Sequence, residues 1–197
     1  MLLTLVRHGA LDTKYDNCYV GRRDVPLSGR GHAQAEYLAE HLHGRGIDTL
    51  WCSPALRARQ TAAPLAARLN LDVEIVAALN EVDFGRWEGL TFAQMCEQEP
   101  ELVQQWADNA ADFCFPAGEA PHQFNQRVAT AAQRLLGAHY HHLALVAHGG
   151  VIRHLLCQLL ELPRHDYLKF QLERGGYATM TISEQRAVLT GLYNEHC

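Results

Sequence analysis

The sequence predicts an open α/β sheet covered by helices on both faces. Three short, largely apolar runs carry this prediction: LLTLV at 2–6, DTLWC at 48–52 and LALVA at 143–147. Runs of that kind fit strands buried on both faces. Stretches with helical periodicity separate them, and strands alternating with helices build a sheet with two helical layers. No linker, repeat or low-complexity stretch divides the 197 residues, so one domain over 1–197 is expected.

The elements follow in order. After the strand at 2–6, Ala35, Leu38, Ala39 and Leu42 recur at i, i+3, i+4, i+7 and predict a helix. The strand at 48–52 leads into a stripe of Ala58, Ala62, Leu65, Ala66 and Leu69, and VEIV at 73–76 is a weaker strand. From about 80 to 120 no strand is evident, but Phe84, Trp87, Phe92, Trp106, Phe113 and Phe115 are present. A mainly helical insertion folding over one end of the sheet is expected there, with Trp87 a core or lid residue rather than a substrate stacker. Phe124, Val128, Ala131, Ala132 and Leu135 form the next stripe, and Ile152, Leu155, Leu156 and Leu159 follow the strand at 143–147. The tail alternates around Ser183–Arg186, as a terminal hairpin does. Its apolar edge leaves room for a homodimer.

Composition narrows the function. A net charge of −5 argues against a nucleic-acid partner held by bulk charge. The N-terminal apolar run ends at Arg7, too short for a signal-peptide core or a membrane span. Cys18, Cys52, Cys96, Cys114, Cys157 and Cys197 form no CxxC pair and are expected to be free thiols of a cytoplasmic protein. Twelve histidines invite a metal, but His41, His43, His139, His141 and His142 lie in polar termini and read as exposed surface. No metal and no cofactor is expected.

Each of the three strong strands hands over to charged or glycine-rich residues: LLTLV to RHG, TLWC to SPALR and LALVA to HGG. Ligands of open α/β sheets bind beyond the carboxyl ends of the strands. Arg7, His8, Arg57 and His148 therefore converge on one point. An arginine fork suits phosphate, and Gly149 and Gly150 offer N–H groups at a helix start. Such a site supports phosphoryl transfer in two steps, with a neutral imidazole attacking phosphorus and a carboxylic acid protonating the leaving oxygen. The acid is Glu81, Asp83 or Glu88, all within LNEVDFGRWEG. His8 must hold one tautomer, its second ring nitrogen donating to a carbonyl, with Gly9 the nearest position that leaves room. Lys14, Arg22 and Arg23 either reach the substrate or sit in solvent. Arg59 falls on the solvated side of its helix. Glu119 either reaches the pocket rim or caps the following helix.

These residues resemble the histidine phosphatase superfamily, also called phosphoglycerate-mutase-like. The matching stretches are LVRHG at 5–9, DVPLSGRGHAQA at 24–35, SPALRARQTA at 53–62, LNEVDFGRWEG at 79–89 and VAHGGVIR at 146–153. The resemblance implies a three-layer α/β/α sandwich with a mixed, mostly parallel sheet. It implies that His8 accepts the phosphoryl group, that Arg7, Arg57 and His148 hold it, and that Glu81 is the proton donor. CYVGRRDVPLS at 18–28, EVDFGRWEG at 81–89, the PAGE turn at 116–119 and AHGGVIRHLL at 147–156 are most similar to the α-ribazole-5′-phosphate phosphatase branch, so a small phosphorylated metabolite is the expected substrate. A broad-specificity phosphatase, a mutase of the same fold and an inactive anion-binding module are the alternatives. Ala10 and Leu11 replace the usual Glu-Thr after RHG, and Lys14 stands where an asparagine commonly helps bind phosphate; a lysine there can serve as a point charge.

Overall fold

The computed structural model describes residues 1–194 apart from 109, 138 and 185. The Cys197 thiol lies outside the described residues. Six strands form one sheet in the order β3-β2-β4-β1-β5-β6. They are β1 Leu2–Arg7, β2 Thr49–Cys52, β3 Val73–Ile75, β4 His142–Ala147, β5 Tyr177–Ser183 and β6 Arg186–Tyr193. β1 lies parallel to β4, as β4 does to β2 and β2 to β3. β5 runs antiparallel to β1, and β6 to β5, so the sheet is mixed, as the resemblance implied. The terminal hairpin turns between Ser183 and Arg186, and β6 is an edge strand.

Side-chain alternation along β1 and β4 builds the three layers. Leu3, Leu5, Leu143 and Leu145 face α5 (Pro121–Leu136) and α6 (Gly149–Leu159), where they meet Phe124, Val128, Leu135, Ile152 and Leu155. Val6, Ala144 and Val146 face α1 (Gly29–Leu42) and α2 (Leu56–Leu69), where they meet Leu38, Leu42, Ala58 and Leu65. The helical stripes are thus the buried faces.

The 80–120 segment contains a 3-10 turn at Gly85–Trp87, then α3 (Phe92–Gln98) and α4 (Pro100–Ala107). Thr91 and Gln94 form a capping box that starts α3. Phe84, Trp87, Met95, Val103, Phe113 and Phe115 make a separate small core, and Trp87 is 1% exposed within it.

One sequence expectation is corrected here. His142 is not surface but the first residue of β4, and it is buried. Its Nε2 meets Thr4 Oγ1 at 2.9 Å and its Nδ1 meets the Arg45 carbonyl at 2.9 Å, so both ring nitrogens are satisfied. His41, His43, His139 and His141 are exposed. Among the described residues, no group of three or more His, Cys, Asp or Glu side chains is placed to hold a metal ion. No described helix is long and apolar enough to cross a membrane.

Candidate active site

The central strands β1 and β4 end side by side, and their continuations bring His8 and His148 together with ring centroids 5.2 Å apart. The His8 backbone is pinned on both sides. Its N–H donates to Ala147 O at 3.0 Å, and its carbonyl accepts from Gly175 N at 2.9 Å. The imidazole is buried, and Nδ1 lies 2.8 Å from Gly9 O. A carbonyl only accepts, so Nδ1 carries the proton. Burial first, then the nearby Arg57 and Arg7 charges, push His8 well below its ordinary pKa. The ring is neutral and Nε2 carries the lone pair. Arg57 Nε donates to it at 3.3 Å.

Arg57 is fully buried at the first turn of α2. Its other nitrogens are spent on the 20–23 loop, donating to the carbonyls of Arg23 (3.0 Å), Val20 (3.2 Å) and Gly21 (2.7 Å). His148 is 1% exposed, and its Nε2 contacts Ser53 Oγ at 2.8 Å. Burial first, then Arg57 and His8, push its pKa well down as well. Arg7 donates from Nη1 to Leu172 O at 2.6 Å, and burial lowers its pKa to about 10. Arg7 Nε and His148 Nδ1 are both buried without a hydrogen-bond partner. Buried polar nitrogens left in that state are costly, and an anion beside His8 would satisfy them.

Gly149 packs against Arg7: an added Cβ would lie 3.2 Å from Cζ. Glu81 is 9% exposed, and its Oε2 accepts from Gly150 N at 2.9 Å. Its two rivals face elsewhere. Asp83 Oδ1 caps its own turn by accepting from Gly85 N at 3.0 Å. Glu88 accepts from the N–H groups of Gly21 (3.0 Å) and Arg22 (2.7 Å). Of the three acids, only Glu81 lines the cavity.

That cavity has a volume of about 700 Å3 and begins at Arg7, His8, Glu81 and Gly149. Its wall is aromatic, with Tyr19, Phe84, Trp106, Phe115, Phe124 and Tyr167. Arg57 and His148 are not on the wall but touch the His8 ring, Arg57 through Nε and His148 edge-on. Lys14 and Arg22 are exposed and do not line the cavity. Lys14 sits in a 3-10 turn capped by Asp12, with its ammonium 5.3 Å from the Tyr15 ring centroid. In the 20–23 loop, Glu88 and Arg57 take the backbone groups, Arg22 and Arg23 are exposed, and the Arg23 guanidinium lies over Gly89. Arg59 is exposed too. Glu119 neither lines the cavity nor caps α5; it pairs with Arg127 at 2.6 Å.

The cavity also gains Arg153, His154 and Arg174, none of which the sequence reading singled out. Arg153 and His154 had a signal, since they lie four residues after Gly149 and Gly150 and so share the helix face at the site. Arg174 had none. It arrives through the antiparallel partner of β1 and is held by Asp16 at 3.1 Å.

Fold and site together describe an α/β protein with a neutral histidine at the end of a central strand, contacted by Arg57, in a cavity that it lines with Arg7 and the Glu81 carboxylate. Residues 3–195 match the model of the histidine phosphatase superfamily (branch 1). The adenosylcobalamin/alpha-ribazole phosphatase of Escherichia coli strain K12 is 32% identical over 190 residues, covering 96% of this chain and 94% of that protein. The alpha-ribazole phosphatase of Shigella flexneri superposes with a TM-score of 0.90 at 30% identity, over 99% of this chain and 96% of its own. A mycobacterial glucosyl-3-phosphoglycerate phosphatase superposes with a TM-score of 0.83 at 26% identity, over 100% of this chain and 99% of its own. The chain belongs to the histidine phosphatase superfamily, and it is a phosphatase.

Proposed function

We propose that the protein is a phosphomonoesterase that works through a phosphohistidine on His8 and acts on α-ribazole 5′-phosphate. The observation that carries the mechanism is the His8 tautomer. With Nδ1–H bound to Gly9 O, the lone pair sits on Nε2, engaged by one long contact from Arg57 Nε at 3.3 Å, and it attacks once that N–H turns to the phosphoryl oxygens. In the first step the Nε2–P bond forms and the P–O ester bond breaks. Glu81 gives its proton to the leaving oxygen. Arg7 Nε, His148 Nδ1, the Gly149 N–H and Arg57 Nε, the one Arg57 nitrogen not spent on the 20–23 loop, hold the phosphoryl oxygens as charge builds on them. In the second step water attacks phosphorus and Glu81 takes its proton. The N–P bond breaks, releasing inorganic phosphate and a neutral His8. No metal enters either step in this reading.

The aromatic wall supports a substrate with a flat, apolar base on its sugar, and the Escherichia coli and Shigella relatives support α-ribazole 5′-phosphate in particular. The same reading takes residues 1–197 as one domain, with the 80–120 segment as cover over the site. It puts the protein in the cytoplasm, in keeping with the free Cys18, Cys52, Cys96, Cys114 and Cys157. The open β6 edge is where a second copy would pair, which sedimentation can test.

The experiment is phosphate release in EDTA from α-ribazole 5′-phosphate, p-nitrophenyl phosphate and 3-phosphoglycerate, with His8→Ala as the blank. The expected result is fastest turnover of α-ribazole 5′-phosphate and none in the blank. Equal, slow turnover of all three removes the substrate and keeps the chemistry. Isomerised phosphoglycerate points to a mutase, and activity in His8→Ala removes the mechanism.

A further inference from the structure

Glu81 lies in a stretch with no regular structure, between the 3-10 turns Ala77–Leu79 and Gly85–Trp87. No ladder fixes its backbone. Arg127, on α5, takes over that task with all five of its N–H groups. Nη1 donates to Ala78 O at 2.9 Å and Asn80 O at 2.5 Å. Nη2 donates to Glu81 O at 2.9 Å and Glu119 Oε1 at 2.6 Å, and Nε donates to Glu119 Oε2 at 3.0 Å. Glu119 then holds the far end of the stretch. Its Oε1 accepts from Asp83 N at 3.0 Å, and its own N–H donates to Asp83 O at 3.0 Å. The guanidinium also lies 4.7 Å from the Phe124 ring centroid, so its position is fixed by packing as well.

We infer that Arg127 and Glu119 are positioning residues that aim the Glu81 carboxyl at the leaving oxygen. This rests on Glu81 being the proton donor. Neither residue lines the cavity, so neither touches substrate. The Glu81 carboxyl is held directly by Val82 N (3.1 Å) and Gly150 N (2.9 Å). Those two contacts stay in register only while the 78–83 backbone stays in place. A planar five-donor fork can bridge three carbonyls and a carboxylate at once, and a lysine cannot. Arg127→Lys keeps the charge and loses the geometry.

The test separates aiming from folding by the leaving group. A p-nitrophenolate leaves without protonation, whereas an alkoxide needs the acid. Rapid-quench rates of phosphohistidine formation are measured with p-nitrophenyl phosphate and with the best alkyl monophosphate of a panel that includes α-ribazole 5′-phosphate. In Arg127→Lys the alkyl rate falls by at least about tenfold while the nitrophenyl rate changes by less than about threefold. Inhibition by inorganic phosphate stays unchanged. Glu119→Gln, which sets an amide N–H against Arg127 Nε, shows the same selectivity and serves if the arginine variant does not fold. Equal losses on both substrates, or none, overturn the inference. Glu81→Gln is the reference. If it shows no leaving-group selectivity, the proton-donor reading itself fails. If it does and neither clamp variant follows, only the positioning role fails.

Discussion

Removing Glu88 should loosen the loop that docks Arg57, and the structure sets the size of the effect. The carboxylate gathers four backbone N–H groups: Arg22 at 2.7 Å, Gly21 at 3.0 Å, and Arg23 and Phe84 at 3.4 Å. Hydrogen bonds to a charged acceptor contribute about 1.5–3 kcal/mol each, and the two long ones add little. Because Arg22 and Arg23 are exposed, the lower end applies, and Glu88→Ala should cost about 3 kcal/mol in all. For a chain of this size that lowers Tm by about 6–12 °C. The same loop gives Arg57 its carbonyl partners Val20, Gly21 and Arg23, so Arg57 Nε loses its aim at His8. Inhibition by inorganic phosphate should weaken by about tenfold, equivalent to about 1.4 kcal/mol. Calorimetry and a phosphate-inhibition series measure the two effects. A Tm within about 1 °C of wild type would refute the clamp. Selective loss on alkyl phosphates in Glu88→Gln would instead make Glu88 the proton donor.

His8 and His148 are held neutral by burial, and this makes stability depend on pH. Below the ordinary histidine value of about 6.5 the unfolded chain takes up protons that the folded one refuses, so stability is full above about pH 6.5 and falls as pH drops toward the depressed folded values. Each group contributes about 1.4 kcal/mol per pH unit in that window, and a His8→Asn, His148→Asn double variant should flatten the urea-unfolding slope between pH 6.5 and 5 accordingly. An unchanged slope would mean that one or both rings are already protonated in the folded state. Gly31→Ala puts a Cβ 2.1 Å from Ala10 O, against rigid backbone, and should cost at least about 1–3 kcal/mol. The matched control, Gly29→Ala, meets nothing within 4 Å and should unfold at or above the wild-type temperature.

Much of this architecture could be read from the chain because the relevant signals are local. Apolar runs at 2–6 and 143–147 read as strands buried on both faces, and they are the two central ones. RHG and HGG follow them directly, so the strand-end rule brings His8 and His148 together across 140 residues of sequence. The i, i+3, i+4 stripes name the buried faces of α1, α2, α5 and α6. What stayed hidden depends on contacts that leave no period. His142 sits among histidines and reads as a polar terminus; its partners Thr4 and the Arg45 carbonyl lie 138 and 97 residues away and leave no local signal. Lys14 and Arg22 lie near the RHG loop in sequence, yet local capping and the pull of Glu88 on the loop backbone turn them outward. Arg174 replaces them from the far end of the chain.

Acidic residues outside the site divide by what their neighbours lack. Where strands end, ladder hydrogen bonds already hold the backbone, and His8 needs only Ala147 O and Gly175 N to stay in place. The 20–23 and 78–83 stretches have no such ladder, and each supplies or docks a group that the proposed chemistry needs. Their buried N–H and C=O groups must still be paired. Glu88 pairs the first stretch, and Arg127 with Glu119 pairs the second. Asp83 caps a turn beside them. By sequence, Asp83 and Glu88 rival Glu81 because all three carboxylates crowd one segment. In the fold all three accept backbone N–H groups, so position decides between them: Asp83 and Glu88 hold irregular loops away from the cavity, and Glu81, held by Val82 N and Gly150 N, is the one that lines it together with His8.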